Sequence, residues 1–331
     1  MLNFLDLPYD VLCVIFSQIP EGVSHGLAPV SMANKRARQK LTPLLFKHVA
    51  FMKGEPERPV YWASIEQAIQ TLLQNAYIVQ SVRCLCFQLW RPFPINAKPD
   101  VNKSLPISLA SLITSLPNLM RMKLILPRCY LLALQSDLKA NQPLATLRSL
   151  TVSTYDWIFF VHISHNLEMV HVEDRSSRIP MREALPVIHK YRNITRLSCF
   201  ERSSAVVINV IAQYLPYLRE LGLLAPVDTL TIINGIRRYR QFPNLGTIWL
   251  PPLQTKTIDG VGGPRRQTTT DISSLLDAIE RHVINDCGPD VRTVKVGWNQ
   301  LIEVYERRPG RSFMKTMEVT TDVSLRKEVV L

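Results

Sequence analysis

Leu215-Pro216-Tyr217-Leu218-Arg219-Glu220-Leu221-Gly222-Leu223 places apolar residues at 218, 221 and 223, an h-x-x-h-x-h phrase (h, apolar) introduced by Leu-Pro. Residues 221 and 223 share one side of an extended chain, the period of two that a strand imposes, and Pro216 marks a place where a preceding helix stops. The same phrase recurs at Val79-Val82-Cys84, Leu119-Met122-Leu124, Leu147-Leu150-Val152, Leu167-Val170-Val172, Ile194-Leu197-Cys199, Leu245-Ile248-Leu250 and Val291-Val294-Val296. Starts are separated by 40, 28, 20, 27, 24, 27 and 46 residues, and self-similarity at such periods is the signature of a repeat array. The lead-in recurs too, as Leu116-Pro117-Asn118-Leu119 and Phe242-Pro243-Asn244-Leu245.

Between these strand signals lie stretches with helical spacing: 62–76, 108–116, 131–140, 157–165, 182–191, 205–215, 229–239 and 272–283. Strand and helix alternating at this period predict an α/β array in which each unit stacks on its neighbour. The chain resembles the irregular leucine-rich-repeat regions of known proteins, without the Asn that regular repeats place after the third apolar residue. The resemblance implies a solenoid over 78–304, with parallel strands on its concave side, helices on its convex side and a flexible insertion near 251–271. An open parallel α/β sheet of another kind is the alternative. Residues 305–331 read as a helix end and a tail.

The 331 residues are 47% hydrophobic and 20% charged, enough to bury a real core in roughly two domains. No stretch approaches the roughly 20 uninterrupted apolar residues of a membrane span. The apolar start is interrupted by Asp6 and Asp10 with no basic segment before it, which predicts a helix of a soluble protein and not a targeting signal. Six cysteines, Cys13, Cys84, Cys86, Cys129, Cys199 and Cys287, lie mostly inside apolar patterns without paired CxxC spacing, so buried reduced thiols in the cytoplasm or nucleus are expected. Net charge is +12, and Lys35, Arg36, Arg38, Lys40, Lys47 and Lys53 fall in a stretch without an acidic residue.

Asp6-Leu7-Pro8 followed by Leu12, Ile15, Phe16 and Ile19 is a helix start with Pro in the first turn and then apolar residues at helical spacing. Leu27, Val30 and Ala33, then Leu41, Leu44, Leu45, Phe46 and Val49, suffice for two more short helices separated at Pro43. A three-helix unit over 1–50 is small for independent stability, and its surplus apolar surface calls for a docking partner. Leu7-Pro8-Tyr9-Asp10-Val11-Leu12, Ile15-Phe16, Leu27, Val30-Ser31, Arg38 and Pro43-Leu44-Leu45-Phe46 resemble the F-box. That resemblance implies binding to the Skp-type adaptor, and through it the cullin, of an SCF-type ubiquitin ligase. It assigns Leu7, Pro8, Leu12, Ile15, Phe16, Val30 and Leu44 to the adaptor interface. Residues 51–77 would be a linker and the first solenoid helix.

Catalytic motifs are not found: there is no GxSxG elbow, no HExxH and no kinase-like set. Gly260-Val261-Gly262-Gly263-Pro264-Arg265-Arg266 fails as a phosphate cradle, because the GxGxxG spacing is not met and Pro264 interrupts it. His162, His165 and His171 are read as solvated or core-edge side chains, and no metal or cofactor is expected. The residues between the apolar strand positions face away from the core, which in a solenoid is the concave surface. That row comprises Arg83, Lys123, Thr151, His171, Ser198, Gly222, Trp249 and Lys295, flanked by Arg121, Met169, Glu173, Arg196, Phe200 and Glu220. Arg83, Lys123, His171, Arg196, Phe200, Trp249 and Lys295 are the expected ligand contacts, and their basic bias suits an acidic or phosphorylated protein substrate. Nucleic acid is the less favoured partner, for want of an aromatic-basic stacking platform.

Overall fold

A computed structural model describes residues 42–43, 45–53, 62–89, 104–126, 128–139, 144–152, 160, 163–172, 185–186, 189, 193–199, 201–225, 229–251, 269–284, 290–298, 301–307 and 312–319. They form two compact units, one ending at Asn166 and the other beginning at Leu167. The proposed adaptor contacts Leu7, Pro8, Leu12, Ile15, Phe16, Val30 and Leu44 lie outside the described residues, as do Phe200 and Glu173.

The first unit runs β1 (His48–Lys53), α1 (Trp62–Leu73), α2 (Ala76–Ser81), β2 (Cys84–Leu89), α3 (Ser104–Ser115), β3 (Arg121–Ile125), α4 (Arg128–Lys139) and β4 (Ser149–Val152). Its four strands are parallel and lie side by side in chain order. The second runs β5 (Met169–Val172), β6 (Arg196–Cys199), α5 (Ala205–Tyr214), β7 (Glu220–Leu223), α6 (Thr229–Ile236), β8 (Thr247–Leu250), α7 (Thr269–Ile279), β9 (Thr293–Trp298), β10 (Leu301–Arg307) and β11 (Phe313–Val319). Strands β5 to β9 are parallel and consecutive, and β10 and β11 add an antiparallel hairpin. The architecture is therefore α/β and mostly parallel. Neither unit reverses its strand order, so neither has the switch point at which a doubly wound sheet holds its ligand.

The repeated phrase is the core. In the first unit Val82, Leu85 and Phe87 join Leu119, Met122 and Leu124 and then Leu147, Leu150 and Val152, none more than 2% exposed. In the second, the triads ending at Val172, Cys199, Leu223, Leu250 and Val296 are at most 1% exposed. Each large aliphatic side chain so buried stabilises by about 1.5–3 kcal/mol. Within each unit one carbonyl joins each pair of successive parallel strands. Lys47 O accepts from the N–H groups of both Arg83 and Cys84, Arg83 O from Met120 and Arg121, Thr195 O from Arg219 and Glu220, and Gly246 O from Arg292 and Thr293.

That recurring carbonyl fixes the frame and corrects the first predicted copy. Arg83 holds the position of Met120, just before the strand, so the buried triad is Val82-Leu85-Phe87, three residues later than the predicted Val79-Val82-Cys84. Val79 belongs to α2. The predicted helix over 62–76 breaks at Asn75, whose side chain accepts from the Ile78 N–H and starts α2. A ninth copy, Phe46-Val49-Phe51, sits one step earlier: Val49 and Phe51 pair with Leu85 and Phe87, so residues 48–50 are strand where a third N-terminal helix was expected. The expected tail from residue 305 is corrected too, because 301–307 and 313–319 form the hairpin, with Tyr305 only 8% exposed.

The lead-in asparagines tie repeats together. Asn118 Nδ2 donates to Gln80 O at 2.9 Å, and Asn166 Nδ2 to Ala145 O at 2.7 Å. Asn118→Ala is expected to cost about 1 kcal/mol, the usual net worth of one such bond. A urea-unfolding midpoint unchanged from wild type would show that the bond contributes nothing.

Candidate functional site

Alternation along a strand sends every second side chain away from the core, and register decides which of these meet. In the second unit His171, Ser198, Gly222, Trp249 and Lys295 align as one row across β5 to β9. A parallel row of Met169, Arg196, Glu220, Thr247 and Thr293 lies one pleat away.

The first row closes over its centre. Trp249 and His171 come from strands three spacings apart, roughly 14 Å. Their rings nevertheless stack, with centroids 5.8 Å apart and planes 11° from parallel. Between them stand Ser198 and Gly222, both buried although they point away from the core, because the two rings lean over them. Ser198 Oγ and His171 Nδ1 share a short hydrogen bond. Gly222 is needed at the centre: a Cβ there would lie 2.7 Å from Ser198 Cβ and 3.3 Å from Trp249 Cβ.

Three contacts hold the Trp249 ring. Its indole N–H donates to Gly297 O at 3.1 Å, His171 stacks on it, and Lys295 Nζ stands 5.5 Å from the ring centroid. Gly297 takes φ 134°, a conformation that a side chain would strain, so the carbonyl's position depends on glycine. Lys295 Nζ donates to Glu220 Oε1 at 2.7 Å, with the two side chains 30% and 17% exposed. Within this basic-biased face the Lys295 ammonium is compensated by Glu220. Arg196, opposite Glu220 in register, is exposed and carries the outward positive charge of this part of the face.

In the first unit Ala50, Cys86, Lys123 and Thr151 form the corresponding row. Arg83 is not in it. Its guanidinium donates to Asn118 O at 3.4 Å, and the position assigned to it belongs to Cys86. Reading Val82-x-x-Leu85-x-Phe87 as the phrase would have found Cys86 from the sequence. His48, Cys84, Arg121 and Ser149 form the neighbouring row, in which Arg121 Nε donates to Cys84 Sγ at 2.9 Å. Cys84 and Cys86 are half-buried and face outward, where buried thiols were expected, whereas Cys199 is buried. Burial pushes the Cys199 thiol well above its ordinary range, with Glu201 adding to the shift.

Among the described residues no cluster of three or more His, Cys, Asp or Glu side chains is arranged to hold a metal ion. His165 is exposed and His171 is engaged with Ser198 and Trp249, while His162 lies outside the described residues. Among the described residues no helix is long and apolar enough to cross a membrane. What the second unit's face offers chemically is a fixed indole–imidazole surface bordered by an ion pair and an exposed guanidinium. No family model matches the chain, and no curated protein matches it either.

Proposed function

We propose that the chain is a substrate-recognition adaptor of an SCF-type cullin-RING ubiquitin ligase. In this reading the residues before β1 are an F-box that docks on the Skp-type adaptor, and the consecutive strand–helix units are a leucine-rich-repeat-like solenoid whose strand face holds a protein substrate. The observation that carries the binding role is the Trp249–His171 stack, braced by Gly297 O and by Lys295. Aromatic side chains held in one conformation cost little entropy on binding and dominate interface energies. Exposed Arg196 suits a substrate with an acidic or phosphorylated side chain beside the residue that packs on the rings. The adaptor half rests on the ordered Leu7-Pro8-Tyr9-Asp10-Val11-Leu12 start and on the surplus apolar surface of Ile15 and Phe16. Such a protein performs no chemistry itself; tethering target and ubiquitin-charged enzyme together supplies the rate.

Affinity purification of the full chain tests both halves separately. Wild type is expected to bring down a Skp-type adaptor, a cullin and a substrate protein. Ile15→Glu with Phe16→Glu is expected to lose adaptor and cullin and keep the substrate. Trp249→Ala is expected to keep adaptor and cullin and weaken substrate binding by about 30-fold, the loss of a hot spot near 2 kcal/mol. An N-terminal double variant with undiminished adaptor recovery overturns the ligase assignment. A full-affinity Trp249→Ala overturns the site.

A further inference from the structure

The strand starts of the first unit carry cations that the unit itself does not neutralise. Its described acids are Glu66 on α1 and Asp137 on α4, while β1 to β4 hold no acidic residue. Lys47, Arg83 and Met120 stand immediately before β1, β2 and β3, linked through their shared carbonyls, and Arg121 opens β3. Lys47 and Arg121 are exposed, Arg83 is half-buried and Met120 is 39% exposed. Among the described residues none of these three cations forms an ion pair, whereas Arg292, Lys295, Arg307 and Lys315 of the second unit each do.

The two guanidiniums are held in place by uncharged atoms of the adjoining repeat. Arg83 Nη1 donates forward to Asn118 O at 3.4 Å, and Arg121 Nε donates back to Cys84 Sγ at 2.9 Å. Each contact uses a single donor of a side chain that has several to offer. Among the described residues nothing accepts from the terminal nitrogens of Arg121, which leaves the parallel pair of N–H donors that matches a carboxylate.

We propose that Lys47, Arg83, Met120 and Arg121 form a docking surface for an acidic, extended segment of a protein partner, its carboxylates on the cations and one apolar side chain against Met120. Cations on neighbouring strands repel one another, and a run of carboxylates relieves that repulsion. The anchored guanidiniums lose little freedom when the segment arrives. The chemistry favours a peptide over nucleic acid: no ring on these four residues can stack on a base, and Met120 offers an aliphatic side chain a surface to cover. The proposal needs neither the ubiquitin-ligase assignment nor the Trp249 surface, which belongs to the other unit.

Fluorescence anisotropy of the full chain with a labelled short peptide of Asp and Glu around a single Leu measures the contact. Binding is expected to weaken steeply as salt rises. Arg83→Gln with Arg121→Gln is expected to weaken it about tenfold, and Met120→Ser about threefold. Arg237→Gln with Arg238→Gln removes the same charge from exposed positions of the second unit and is expected to leave the affinity unchanged, as is Trp249→Ala. Circular dichroism confirms that each variant is folded. Equal losses in the two double variants would show that the peptide responds to net charge alone, and that result overturns the proposal. So does a wild-type chain that ignores the peptide, a loss on Trp249→Ala as large as on the arginine pair, or tighter binding of an oligothymidylate of equal charge. The adaptor assignment is decided separately by the purification experiment, so the two can fail independently.

Discussion

Gly222→Val is expected to lower the stability of the second unit by about 1–3 kcal/mol and to abolish the ordered surface above it. A Cβ on residue 222 would sit 2.7 Å from Ser198 Cβ, and the atom it meets is next to backbone, so no flexible side-chain tip can swing aside. Either β6 and β7 move apart, straining the Leu197–Leu221 and Cys199–Leu223 pairs of the ladder, or the new side chain pushes out into the space occupied by the Trp249 and His171 rings. Both routes expose Ser198 and break its bond to His171. The result is read in two ways: a lowered denaturation midpoint, and loss of the fluorescence signature of a half-buried indole. Gly246→Ala is the control, because a Cβ there meets nothing closer than Arg219 O at 3.9 Å. A Gly222→Val protein with wild-type stability and Trp249 emission would mean that the rings do not close over this strand.

How much of this was legible depended on whether one frame or two fitted the sequence. At Leu218-Leu221-Leu223 the three apolar positions are unambiguous, and all three are fully buried. At Val79-Val82-Cys84 two overlapping frames satisfy the pattern, and nothing local prefers Val82-Leu85-Phe87. The choice is made by Lys47 O, which accepts from Arg83 and Cys84 and so sets the strand start from a neighbouring repeat. Strand β1 escaped notice because Leu45, Phe46 and Val49 also satisfy helical spacing. Pairing with β2 along six residues decided the outcome, which is tertiary context overriding a local pattern. The terminal hairpin was hidden by its charges: Glu303 and Lys315 are bonded to one another across β10 and β11 at 2.8 Å, and in sequence they look like an ordinary solvated tail.

The candidate site divides along the same line. That His171, Trp249 and Lys295 face away from the core follows from a period of two and needs no structure. That Trp249 reaches back to His171 follows from the single missing side chain at Gly222, which has a meaning only once β6, β7 and β8 are in register. The Lys295–Glu220 pair joins residues 75 apart in the chain, and the sequence names both residues on this face without showing that they meet.

Phe87→Ala is expected to cost about 3–5 kcal/mol, the largest effect of any single truncation considered for the first unit. Phe87 is fully buried in β2, its ring lies 5.4 Å from that of Phe51 at 37°, and its neighbours across the ladder are Phe51 and Leu124. Removing the ring leaves a cavity bounded by strands on both sides, which have their own registers to keep and cannot collapse into it. With total stabilities of ordinary domains near 5–15 kcal/mol, the loss is a large fraction of what holds this unit together. The same experiment distinguishes the two frames. Val79 is a half-buried helix residue and Cys84 an outward-facing one, so Val79→Ala and Cys84→Ala should each cost less than about 1.5 kcal/mol. Urea denaturation of the three variants, monitored by circular dichroism, gives the ranking directly. If Val79→Ala or Cys84→Ala proved as damaging as Phe87→Ala, the repeat would begin three residues earlier, Arg83 would return to the outward row, and Cys84 would belong to the core instead of standing beside Arg121.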